Sequence, residues 1–117
     1  MKDLLIETLE SLGFKIFQQG SLEEEEPYPD SFFTFWNNSS DGSAFYDNEA
    51  HSYIWDFDLN FYSINPNLVN STLIQAKKIL KEKGFIVDGK GHDVMSDEPT
   101  HTGRGINVKK IENEEVL

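Results

Sequence analysis

His51-Ser52-Tyr53-Ile54-Trp55-Asp56-Phe57-Asp58-Leu59-Asn60-Phe61-Tyr62-Ser63 is the stretch on which the fold turns. Tyr53, Trp55, Phe57, Leu59 and Phe61 alternate with Ile54, Asp56, Asp58, Asn60 and Tyr62. A period of two puts the first set on one face of a strand and the mostly polar second set on the other. One face of such a strand is normally buried. The aromatic-rich set therefore reads as core rather than as a platform for stacking bases. Thirteen residues at ~3.3 Å each would extend ~43 Å, against ~5–6 residues in a usual strand. A strand of that length must bend, or leave the core as one arm of a hairpin.

Upstream, Ser31 to Asn37 carries Phe32, Phe33, Phe35 and Trp36 around Thr34. Apolar side chains of both parities predict an interior strand. Asn37-Asn38-Ser39-Ser40-Asp41-Gly42-Ser43 has the composition of a turn, and Ala44 to Ala50, with Phe45 and Tyr46, suits either a strand extension or a loop. Further out, a helix is predicted over 3–12. Asp3 can cap it, Leu5, Ile6, Leu9 and Leu12 form its apolar stripe, and Gly13 is placed to stop it. Phe14-Lys15-Ile16-Phe17 then reads as a strand. Residues 18–30 read as a polar loop with Glu23-Glu24-Glu25-Glu26 at its centre. Four adjacent carboxylates repel one another and stay hydrated, and consecutive residues do not converge on a metal without a folded turn.

Downstream, a second helix is predicted over 66–83. Asn65 caps it, Pro66 takes the first helical position, and Val69, Leu73, Ala76 and Leu80, widened by Ile79, form the buried stripe. Lys77, Lys78, Lys81 and Lys83 crowd its last turns, where cations suit the helix dipole. Gly84 ends it and Phe85-Ile86-Val87 is a short strand. Leu9-Glu10-Ser11-Leu12-Gly13-Phe14-Lys15-Ile16 and Leu80-Lys81-Glu82-Lys83-Gly84-Phe85-Ile86-Val87 echo one another, as two helix-to-strand turns built on the same glycine stop would. Residues 88–105 read as a long polar loop, with Gly89-Lys90-Gly91 and Gly103-Arg104-Gly105 as hairpin turns, followed by a strand over 104–111. The expected fold is one α+β domain over 1–112: an antiparallel β-sheet, two helices packed on one face and a long β-hairpin, with 113–117 as a frayed tail.

Bulk composition narrows the function. A chain of 117 residues suits one domain, and 9 Phe, 4 Tyr and 2 Trp supply much of its core. Without cysteine, neither a disulfide nor a Cys-based zinc site can form. Neither a signal peptide nor ~18 consecutive apolar residues occur, so a cytoplasmic protein with no membrane partner is expected. The net charge of −11 sits entirely in residues 1–60, with 2 basic and 13 acidic residues; residues 61–117 hold 8 of each. Such a field repels nucleic acid. It serves solubility, and it equally suits a surface that repels or mimics DNA or that meets a basic partner.

The residues that could carry chemistry form no motif. Asp56 and Asp58 share a strand face with His51 on the opposite parity, while His92, Asp93 and His101 lie in the long loop. Neither His-x-x-x-His nor His-Glu-x-x-His occurs, and Gly89-Lys90-Gly91 lacks P-loop spacing. A Gly-x-Ser-x-Gly elbow and a Cys nucleophile are also missing. No catalytic residue, cofactor or metal is assigned, and binding or assembly is the expected mode of action.

The element order, with Tyr28-Pro29-Asp30-Ser31-Phe32-Phe33-Thr34-Phe35-Trp36 and Phe45-Tyr46-Asp47-Asn48-Glu49, resembles small proteins of tailed-phage morphogenesis. Gly89-Lys90-Gly91-His92-Asp93 through His101-Thr102-Gly103-Arg104-Gly105 resembles prophage proteins of this kind from low-GC bacteria. The nearest group is the tail terminator or tail completion (head-tail joining, neck) proteins, matched in layout over about residues 1–112. The resemblance implies a structural protein without enzymatic activity. It would form a ring, often hexameric, at the head-proximal end of the tail tube, with DNA only as passing cargo. It would be made in the host cytoplasm and end in the virion neck or tail. Its partners would be itself and other tail or neck proteins. Candidate contact residues are Phe45, Tyr46, Lys77, Lys78, Lys81 and Arg104. The alternative is an acidic DNA mimic or inhibitor that binds a nucleic-acid-binding partner; a small metal-dependent enzyme ranks last.

Overall fold

The computed structural model describes residues 1–19, 29–46, 49–96 and 99–113, and the side chains of all of these but 39–46, 49–51, 88, 90 and 113. Two helices and five strands follow in the order α1 (Lys2–Glu10), β1 (Lys15–Gln18), β2 (Ser31–Tyr46), β3 (Glu49–Ser63), α2 (Pro66–Glu82), β4 (Ile86–Val94) and β5 (Thr102–Asn113). The strands form a single sheet ordered β1-β2-β3-β5-β4. All neighbours are antiparallel except β1 and β2. The alternating stretch is thus the central strand, with β2 along one edge and β5 along the other.

The period-two reading of β3 holds along the part under the helices. Phe57, Leu59 and Phe61 are fully buried, and Phe33 and Phe35 of β2 and Ile106 and Val108 of β5 lie beside them. Both helices cover this face. α1 contributes Leu5 and Leu9; α2 contributes Val69, Leu73, Ala76 and Leu80. Phe33, Phe61 and Phe14 form an aromatic knot, with ring centroids 4.7 Å apart for Phe33–Phe61 and 5.1 Å for Phe14–Phe61. Trp55 lies on the same face but only half-buried at the margin, stacked on Phe57 and donating from Nε1 to Glu112 Oε2. The result is an α+β fold of two layers, one helical and one a mostly antiparallel sheet.

α2 starts as its sequence predicts. The Asn65 side chain accepts from the Asn67 amide, with Pro66 in the first turn. α1 is shorter than predicted, ends at Glu10, and has no side-chain cap; Asp3 sits in its first turn instead. Gly13 and Gly84 both take φ of 89° after their helices, which explains the echo between the two turns by shared stop chemistry.

Two segments depart from their sequence reading. Asn37–Ser43, read as a turn, continues β2 through irregularities between Asn37 and Ser39 and between Gly42 and Phe45, so the hairpin turns only after Tyr46. Local turn chemistry there yields to pairing with β3, whose own outer half needs a neighbour. Residues 88–105, read as one loop, are mostly sheet: β4 runs to Val94 and β5 begins at Thr102. The glycines at 89 and 91 mark a bulge rather than a hairpin turn. Asp88 pairs with Asn107 and His92 with Gly105, so three residues of β4 oppose Ile106 alone. Gly103 and Gly105 lie within β5. Asn113, expected as the start of a frayed tail over 113–117, still belongs to β5; the acidic run 23–26 and residues 114–117 lie outside the described residues.

β2 is an interior strand only at its base, where β1 pairs with Phe32 to Phe35. Further out the hairpin of β2 and β3 leaves the helical layer, with β5 alongside as far as Asn113. This gives the molecule extents of 53 × 29 × 23 Å.

Candidate interaction surface

With both helices on one side, the opposite face of the sheet carries no layer among the described residues. Parity decides what stands there: Phe32, Thr34 and Trp36 from β2; Ile54, Asp56, Asp58, Asn60 and Tyr62 from β3; Gly103, Gly105, Asn107, Lys109 and Ile111 from β5. The face has three zones. At its base Phe32 stacks on Tyr62 at 5.3 Å and meets the rings of Phe17 and His101 edge-on. At its outer end Ile54 pairs across the strands with Ile111, both exposed.

The middle zone is polar. Trp36, 49% exposed, lies directly across from Asp58. Together with Gln19, Asn60, His92 and Val94 they line an open depression of about 350 Å³. Gly105 helps to shape it. A Cβ there would come within 2.3 Å of Asn60 Oδ1 and 3.3 Å of His92 Nε2, so the missing side chain lets those two lean over β5. Asn107 Nδ2 donates to Asp56 Oδ1 at 2.6 Å and lies 3.4 Å from Asp58 Oδ1. Asn38 Nδ2 also donates to Asp56, and Lys109 stands across from that carboxylate. Asp56 is therefore satisfied within the sheet, whereas the exposed Asp58 carboxylate has, among the described residues, only the long contact to Asn107.

The sequence-derived contact residues are scattered. Lys78 and Lys81 are exposed on the outer side of α2. Lys77 is half-buried and its Nζ donates to the Gly89 carbonyl at 2.7 Å, tying the helix to the β4 bulge. Arg104, with its side chain 27% exposed, donates to Asp93 at 2.8 Å and to the Gly91 carbonyl at 3.2 Å. These two cations thus hold the bulge at its two ends, Gly89 and Gly91, from the helix side of the sheet. Phe45 and Tyr46 lie at the hairpin end of β2 by their backbone, but their side chains lie outside the described residues.

The histidines do not converge. His92 is exposed on the open face, and Asp93 beside it points to the other. His101 Nε2 lies 2.8 Å from the Pro29 carbonyl and Nδ1 lies 3.0 Å from Thr100 Oγ1. A carbonyl only accepts, so Nε2 carries the proton of that bond; the ring pins two connections together. Among the described residues no three of His, Asp and Glu are placed to share a metal ion. Trp36 was missed as a surface residue because its run is apolar at every position but Thr34. The signal was its parity, two residues on from Thr34 and opposite to Phe33 and Phe35.

No protein-family model matches the chain, and no curated protein matches it in sequence. No helix among the described residues is long and apolar enough to cross a membrane.

Proposed function

We propose that this chain is a structural, non-catalytic subunit of tailed-phage assembly that forms a ring at the head-proximal end of the tail tube. The observation that carries the reading is the two-sidedness of the body. One outer face is a helix bearing exposed Lys78 and Lys81; the other is the sheet face that no layer of the described residues covers, bearing Asp58 and Trp36. A closed ring needs two different, mutually fitting surfaces on each subunit, and this fold offers a pair on opposite sides. The projecting hairpin adds a strand edge that a neighbour could extend. The resemblance in element order supports six subunits, and the acidic first half would keep passing DNA from adhering.

Solution mass, measured alone and with tail-tube protein, tests the reading. A ring subunit yields a discrete closed oligomer, alone or on the tube end. A chain that ignores itself and the tube, yet binds a DNA-binding protein as a monomer or dimer with steep salt dependence, is a DNA mimic instead. Tight binding to duplex DNA at physiological salt counts against both.

A further inference from the structure

The outward stripe of α2 is not uniformly polar. Ile74 is 63% exposed; on a helix of 3.6 residues per turn it stands to the outer side of the buried stripe of Val69, Leu73, Ala76 and Leu80, at the rim of a groove it lines with Leu73, Lys77, Gly89 and Arg104. Lys78 and Lys81 follow it at i+4 and i+7, on the same face. An apolar residue followed by two exposed lysines is the converse of the depression on the sheet, where an exposed indole faces an exposed carboxylate.

We infer that the depression between Trp36 and Asp58 receives the Ile74–Lys78–Lys81 stripe of a second copy of this chain. In this contact a lysine stem lies along the indole and its ammonium lies against Asp58. Lysine stems cover apolar surface while the charged head stays polar, and an ammonium over an indole face gains from the ring quadrupole. Ile74 meets the remaining exposed edge of Trp36. The two surfaces lie on opposite layers of the same body, so the contact is head-to-tail and leaves each copy with one face of each kind to offer. The inference rests on the self-assembly reading and adds to it the surfaces that touch.

The charge logic allows a test in which loss and rescue are both required. Asp58→Lys gives a chain positive on both surfaces; Lys78→Glu with Lys81→Glu gives one negative on both. All three residues are exposed, and thermal unfolding checks that each variant is folded. Association is followed by sedimentation velocity in low-salt buffer over a concentration series. Each variant alone should associate at least about tenfold more weakly than the original chain, because like charges are brought together. An equimolar mixture of the two should recover association, since each sheet then meets an oppositely charged helix. The chain carrying all three substitutions should recover it too. Added salt should weaken the original contact. If the original chain associates and either variant does so equally well, or if the mixture fails to recover, these surfaces are not the contact, and the ring reading stands without them. If the original chain stays monomeric throughout the series and with tail-tube protein present, both the contact and the ring are wrong.

Discussion

Thr34 Oγ1 is buried without a hydrogen-bond partner among the described residues. A hydroxyl removed from water without compensation costs about 1–3 kcal/mol. Valine has nearly the same shape without the polar group. Thr34→Val should therefore raise stability by about 1 kcal/mol, read as a higher denaturant midpoint at unchanged slope. Phe57 is the opposite case. Its ring is fully buried between Phe35 and Trp55, and truncation leaves a cavity that the sheet cannot close. Phe57→Ala should cost about 3–5 kcal/mol in the same measurement. A cost under about 1 kcal/mol would show that Phe57 is not a core residue. Phe57 was legible in the sequence by parity, on the apolar face of its strand; the burial of Thr34, the polar interruption of an aromatic run, was not. That Thr34 lacks a partner was not legible, because it depends on which neighbours the sheet order supplies.

The elements differ in how strongly their local sequence determines them. α2 carries its own boundaries, with Asn65 bonded to the second amide of the helix and Pro66 preset for its first turn. Asn65→Ala should lower stability by about 1 kcal/mol in urea unfolding. β4 is determined from outside. Gly89-Lys90-Gly91 has the chemistry of a turn, and the positive φ values do occur, but inside a strand that β5, Lys77 and Arg104 hold in place. This is why the strand could not be read from the chain, and why 37–43 was misread in the same way. In both segments long-range pairing overrides local preference. Gly91 tests the point. Its φ is 85°, and a Cβ would approach the Gly105 carbonyl oxygen to 2.5 Å. Gly91→Ala should cost at least about 2 kcal/mol, combining the left-handed backbone penalty with a contact that only a shift of β5 relieves. A neutral outcome on unfolding would mean that the bulge is free to rearrange.

At the scale of the whole molecule, the layered body and its projecting hairpin were anticipated by two features of the sequence: amphipathic helices flanking an alternating strand, and a strand too long for its core. What stayed hidden was the sheet face away from the helices, since its members come from strands as far apart as those of Phe32 and Ile111 and meet only through sheet order. The mixture of oppositely recharged chains has a further expected outcome. Because each contact then joins unlike variants, a closed ring must alternate them and hold an even number of subunits, which native mass spectrometry can count. One more consequence follows from the place of β5. It is the last of the described strands to be made, yet it lies between β3 and β4 and pairs with β3 along its length. On the ribosome the hairpin of β2 and β3 can close within microseconds of emerging. The second edge of β3 then waits while about 50 more residues are added, for some 3–10 s at ordinary rates of translation. During that interval the strand at the centre of the finished sheet is an open edge with its backbone groups on that side unpaired. Nascent chains on crowded polysomes are therefore most prone to pair with one another at this strand.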